Sequence, residues 1–231
     1  MLIDYPTFQQ RGDEIQQRIR DLCHKAGRDG GEVTLMPVTK NHPAAAVEYA
    51  AQYGLVCVGE NRVQEAVEKR ASIQTTLRWE LIGHLQSNKA KLAVTHFERV
   101  QTVDSEKLLD ALDRAAAEQN KTLAVLLQIN AGNDPAKFGV EPSGASRLLE
   151  AAMSRTHLKV EGLMTIAPLS EDSSVAQRTF ANLRAIRDRL AQETGLPLRE
   201  LSMGMSGDLD AAIMEGSTLV RVGTALYGAR S

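Results

Sequence analysis

The chain has only two cysteines, Cys23 and Cys57, in 231 residues, and neither belongs to a C-x-x-C pair. Neither a disulfide framework nor a thiolate metal site follows from them, and a reducing cytoplasm suits such a chain. Long apolar runs are also missing. The roughly 18 consecutive apolar residues of a membrane span occur nowhere, so no membrane partner is expected. The first residues carry Asp4, Gln9 and Gln10, where a secretion signal needs an unbroken apolar stretch. An excess of one sign of charge is missing too. A formal net charge of -2 creates no field for a polyanion, and aromatics at 4% give little surface on which bases could stack. Nucleic acid is therefore not expected as a partner. The histidines show no H-E-x-x-H or comparable spacing, which leaves no metal site to expect. No linker rich in Pro, Gly or Ser divides the chain.

What is present is ordinary globular composition, 43% hydrophobic and 24% charged, enough to bury a substantial core. Eight short β-branched or apolar runs recur: Thr34–Val38, Leu55–Gly59, Trp79–Gly83, Arg99–Val103, Ala124–Ile129, Leu158–Leu163, Glu200–Met203 and Leu219–Val222. They read as nearly continuous hydrophobic stretches, the pattern of parallel strands covered on both faces. Segments of helical period lie between them, such as Leu108, Leu109, Leu112 and Ala116. Ser105 and Ser173 are candidate N-caps, and Pro43 suits a first-turn position. After the eighth run only Gly223 to Ser231 remains, too short for a full covering helix. An amphipathic segment before the first run, with Phe8, Ile15, Ile19 and Leu22 at helical spacing, can fill that place. The expected fold is α/β: a single (β/α)8 TIM barrel over residues 1–231, its outer ring completed by an N-terminal helix.

In such a barrel every strand ends at the same mouth, where ligand chemistry is placed. The strand ends carry Lys40, Glu60 and Asn61, His84, Asp104, Asn130, Thr165, Ser206, and Arg221 to Thr224. A partly desolvated Lys40 would lose its proton more easily, and its neutral amine could attack an aldehyde. The loops after strands seven and eight, Ser202-Met-Gly-Met-Ser-Gly-Asp208 and Arg221-Val-Gly-Thr224, present glycines and hydroxyls of the kind that cradle phosphate. Asp208 is an awkward neighbour for an anion and is expected to cap its own helix. Arg221 lies within an apolar strand and needs a partner, either a ligand ring nitrogen or a barrel carboxylate. His84 can stack near a ring or be satisfied by backbone. Lys137 is a second lysine on the mouth side, by default a solvated loop charge and otherwise a relay for an aldehyde.

Several strings are long and unusual: Pro37-Val-Thr-Lys40, Gly59-Glu-Asn-Arg-Val-Gln-Glu65, Ile82-Gly-His-Leu-Gln-Ser-Asn-Lys89, Leu201-Ser-Met-Gly-Met-Ser206 and Gly216-Ser-Thr-Leu-Val-Arg-Val-Gly-Thr224. In these the chain resembles the YggS/PROSC family of pyridoxal-phosphate homeostasis proteins, similar in fold to the barrel domain of alanine racemase. The resemblance implies a pyridoxal 5'-phosphate Schiff base at Lys40, phosphate held around Ser206, Gly223 and Thr224, and Arg221 near the pyridine nitrogen. Asn61, His84 and Met203 would line the ring. Many relatives carry a second lysine shortly after the first, where this chain reads Asn41-His42-Pro43.

The family is credited with binding and handing over the cofactor rather than with robust catalysis. The expectation is therefore a non-enzymatic, monomeric, cytoplasmic carrier that serves recipient pyridoxal-phosphate enzymes. Alanine racemase draws a tyrosine base from a second domain, and here only Tyr227 falls near the mouth. The alternatives are a small amino-acid racemase or isomerase using the same cofactor, and a Schiff-base aldolase using none.

Overall fold

The computed structural model describes residues 2–228; the ends of the expected domain, residues 1 and 229–231, lie outside the described residues. The first helix, α1 (Tyr5–Lys25), opens on Asp4, whose carboxylate accepts from Thr7 N at 3.0 Å, with Pro6 in the first turn. There follow β1 (Thr34–Pro37), α2 (Ala45–Gln52), β2 (Cys57–Glu60), α3 (Val63–Ser72), β3 (Arg78–Leu81), α4 (Ala90–His96) and β4 (Arg99–Val103). The second half is α5 (Glu106–Glu118), β5 (Leu123–Gln128), α6 (Ala145–Met153), β6 (Leu158–Met164), α7 (Ser173–Thr194), β7 (Glu200–Ser202), α8 (Leu209–Met214), β8 (Leu219–Val222) and the single turn α9 (Thr224–Tyr227). All eight expected strands form, within two residues of their expected bounds.

The strands make one parallel sheet in the order β1-β8-β7-β6-β5-β4-β3-β2. Between β1 and β2 the ladder shrinks to the bridge Val38↔Gly59 and the bond from Thr39 N to Gly59 O, 3.1 Å. The barrel is thus nearly closed, with its weakest backbone pairing beside the strand that leads to Lys40.

Alternation along the strands sorts side chains into two layers. Gln101 of β4 reaches Glu80 of β3, Ser202 of β7 and the sulfur of Met36 on β1, contacts possible only through the interior. Their neighbours Val100, Leu201 and Val220 are buried on the outer side against the helices. Helix α1 packs Phe8, Ile19, Leu22 and Cys23 against Leu209 and Ile213 of α8, Val220 and Val222 of β8, and Tyr227. It covers the place that the short α9 leaves open, as its apolar stripe predicts.

Two local expectations need correction. The cap of α7 is Asp172, which accepts from Ser174 N at 2.9 Å; Ser173 is already the first helical residue. A carboxylate one residue earlier outcompetes the hydroxyl for the same orphan amides. Pro43 precedes α2 rather than lying in it, because Thr39 to His42 form a tight turn closed by His42 N to Thr39 O, 3.0 Å, with Asn41 at φ 60°. Ser105 does cap α5 as expected, accepting from Leu108 N at 3.4 Å.

Candidate functional site

At the C-terminal ends of the strands lies a cavity of about 230 Å³ that gathers Lys40 after β1, Asn61 after β2, Ser206 and Gly207 after β7, and Arg221, Gly223 and Thr224 from β8 and its loop. Val38, Ile82, Ile166 and Met205 supply its apolar wall. Strand parity explains Lys40. Met36 and Val38 share an interior cluster, and two residues further on the side chain meets the same space at the mouth. Asn61 reaches the cavity because its backbone crosses Gly83 where any Cβ would collide with the Asn61 carbonyl. Ser206 is tied to the first turn of α9 by a bond from Ala225 N, 3.4 Å. A wider cavity of about 590 Å³ adjoins this one through Ile166, Met205 and Gly207, and holds Lys137 and Asp208.

Arg221 is buried, and its guanidinium donates to Ser202 Oγ at 2.6 Å and to the carbonyl of Thr165 at 2.8 Å. Among the described residues no carboxylate lies within ion-pair distance of it, so the alternative of a barrel salt bridge is not realised. Burial pushes its pKa down to about 10, opposed by the charge of Asp208. Arg221 nonetheless stays cationic at neutral pH, with its charge incompletely compensated. Asp208 stands at the N-cap position of α8 but makes no cap bond there. Its carboxylate accepts instead from Met205 N at 2.6 Å, bracing the loop that carries Ser206. Burial raises the Asp208 pKa.

Two expected ring-lining residues lie elsewhere. Met203 follows Ser202, which points inward, so alternation turns Met203 outward into the main hydrophobic core. Met205 takes the place at the cavity instead. His84 stacks on Phe138, with centroids 4.0 Å apart and planes at 12°, and its Nδ1 lies 3.8 Å from Asp104. Together with Ser87, Asn88 and Lys107 it borders a separate polar groove of about 480 Å³. Phe138 belongs to the long loop after β5, and His84 is not among the residues that line the Lys40 cavity. Asn130 likewise serves the loop, bonding Asp134 and Glu141. Tyr227 is buried on α9, its hydroxyl donating to Ala46 O at 2.8 Å. Glu60 points outward from β2 to Thr39 and Lys69, at 2.6 Å each.

Sequence reasoning missed the apolar wall and the buried polar chain beneath it, Arg221–Ser202–Gln101–Glu80–Arg99. Strict application of period two to each strand would have placed Val38, Ile82 and Met205's neighbour Met203 on their correct sides. The polar chain joins residues of four strands and has no local signature.

Comparison with known proteins defines the class first. Over residues 11–231 the sequence matches the family described as alanine racemase, N-terminal domain, the kind of barrel that this topology represents. Alanine racemase of Clostridium difficile superposes with a TM-score of 0.74 at 16% identity, covering 94% of this chain and 56% of that one, a likeness of fold alone. Closer similarity is full-length. The chain belongs to the family of pyridoxal phosphate homeostasis proteins, sharing 38% identity with that protein of Pasteurella multocida over 97% of this chain and 98% of the relative. The corresponding Pseudomonas aeruginosa protein is 40% identical over 94% of this chain and 93% of the relative. PipY of Synechococcus elongatus, solved with PLP bound, has a TM-score of 0.85 at 37% identity and covers 96% of this chain and 100% of its own.

Proposed function

We propose that this chain binds pyridoxal 5'-phosphate in the Lys40 cavity, holds it as a Schiff base on Lys40, and acts in cofactor homeostasis as a carrier rather than an enzyme. The observation that carries this reading is the joint presence in one cavity of a lysine, a buried undercompensated arginine and the Ser206, Gly223 and Thr224 loops. The volume of about 230 Å³ is just below the roughly 300–1,000 Å³ of sites for drug-sized ligands, which suits a one-ring phosphate ester. The cofactor supplies an aldehyde that condenses with a neutral primary amine, with loss of one water.

Lys40 would provide that amine, and Ser206 and Thr224 would offer hydroxyl donors to the phosphate beside the backbone of Gly223. Asn61 would border the ring. Arg221 would face the pyridine nitrogen as a cation, disfavouring protonation there and so weakening the ring as an electron sink. The hydroxyl of Tyr227 is committed to Ala46 O, which does not suit it to the role of a second base. This favours holding over turnover. In the same reading the barrel of residues 1–231 works as one domain and a monomer in the cytoplasm, passing cofactor to recipient enzymes. Consistent with that compartment, Cys23 and Cys57 are buried and not joined.

The test is a visible absorption spectrum of the protein with added pyridoxal phosphate, then borohydride reduction and peptide mapping. The expected result is a yellow species trapped on Lys40, absent in Lys40→Ala, whose melting temperature stays within a few degrees because a mouth lysine adds little core burial. A chromophore that survives Lys40→Ala, or none in the parent protein, would overturn the reading.

A further inference from the structure

The seam between β1 and β2, where the backbone ladder is reduced to a bridge, is closed by side chains. Lys69 of α3, itself buried, donates to Thr39 O at 2.7 Å, to Glu60 Oε1 at 2.6 Å and to Glu65 Oε1 at 2.8 Å. Glu60 Oε1 also accepts from Thr39 Oγ1 at 2.6 Å, and Glu65 Oε1 accepts from Asn41 N at 2.5 Å. One ammonium therefore organises contacts to the residues on both sides of Lys40. The arrangement is a poor stabiliser. Two carboxylates share one cation, burial raises the Glu60 pKa, and Glu60 Oε2 is buried without a hydrogen-bond partner among the described residues. Apolar side chains of similar volume would serve stability as well or better.

We propose that Lys69, Glu60 and Glu65 form a positioning clamp that fixes the Thr39–Asn41 backbone, including the left-handed Asn41 at φ 60°, so that Lys40 is presented to the cavity. The inference rests on Lys40 as the attachment point. The condensation that the clamp prepares joins Lys40 Nζ to the aldehyde carbon while that carbon's oxygen leaves as water with the two amine hydrogens. None of the three clamp residues lines the cavity, so their effect is confined to the lysine's backbone and should not extend to phosphate or ring binding.

The test compares two probes on the full chain: pyridoxal 5'-phosphate, and pyridoxine 5'-phosphate, which has no aldehyde. Glu65→Ala, which removes the acceptor for Asn41 N at a partly exposed position, should weaken pyridoxal phosphate binding by on the order of tenfold. It should also slow borohydride-trapped loading of Lys40 while leaving pyridoxine phosphate affinity unchanged. Glu65→Gln keeps an acceptor oxygen and should restore both. Lys69→Met should show the same split between the probes, more strongly. Equal loss of both probes in Glu65→Ala would mark a merely structural network, and wild-type affinity for both would deny any role; either result overturns the clamp. A parent protein that binds pyridoxine phosphate but never loads pyridoxal phosphate on Lys40 would instead overturn the attachment point, and the clamp with it.

Discussion

Among the described residues two arginines are buried inside this barrel, one near each end, joined by Glu80, Gln101 and Ser202, and their surroundings are opposite. Arg99, at the start of β4, is met by Glu80 at 2.6 Å, Glu161 at 3.1 Å and Glu200 at 3.4 Å. Burial works against its charge, but these carboxylates, Glu80 foremost, raise its pKa above the ordinary value. Arg221, on β8 below the mouth, has a hydroxyl and a carbonyl for partners and a depressed pKa. A charge saturated by carboxylates has nothing left to offer a ligand, whereas a charge held by neutral dipoles keeps its attraction for one. Under the proposed function, the Arg99 end of the barrel serves stability and the mouth serves binding, in agreement with the division usual in this fold.

That contrast can be broken by substitution. The largest change in stability is expected from Arg99→Met, which strands the buried Glu80 carboxylate and should cost about 3–5 kcal/mol in urea unfolding. A loss below about 1 kcal/mol, the level of an exposed ion pair, would show that the carboxylates there are solvated and the contrast false. Arg221→Met should be milder for the fold, about 1–2 kcal/mol at most, since it leaves the Thr165 carbonyl without its donor, leaves the Ser202 hydroxyl still bonded to Gln101, and removes an undercompensated charge. Its main effect should be a cofactor affinity lower by about tenfold or more, read by equilibrium dialysis. If Arg221→Met instead destabilised the protein as much as Arg99→Met with affinity intact, the two arginines would have one and the same role.

The smallest effect concerns Asp208. Its folded pKa lies above the ordinary 3.8 because it is buried, so the folded state binds its proton more readily than the unfolded chain does. The associated stability is fully present below about pH 3.8 and is lost as the pH rises through the raised folded value. Asp208→Asn keeps an acceptor for Met205 N and should flatten that part of the pH profile of the urea midpoint. An unchanged slope would place the titration on another group.

Much of this was legible along the chain. The eight strands, the covering role of α1 and the presence of Lys40, Asn61, Ser206, Arg221, Gly223 and Thr224 at one mouth all follow from local pattern, because parallel strands in a barrel deliver their C-terminal ends to one face. Met203 was misjudged within that pattern: its strand position is plain, but a shift of one residue moves a side chain from the interior to the helix layer. His84 was misjudged for a different reason. Its neighbour in sequence says nothing of Phe138, more than 50 positions away, and stacking on that ring decides where the imidazole lies.

By itself, then, the sequence determined the kind of barrel and the residue types at its mouth, since hydrophobic period and strand-end chemistry are properties of short segments. Tertiary structure alone decided which of those residues share a cavity, that among the described residues Arg221 has no carboxylate at ion-pair distance while Arg99 has three, and that Lys69 and Glu65 together hold the two flanks of Lys40. Each of these depends on side chains from separate strands and helices meeting in space, and burial then sets the strength of their charges. Neither the meeting nor the burial is encoded within any one segment.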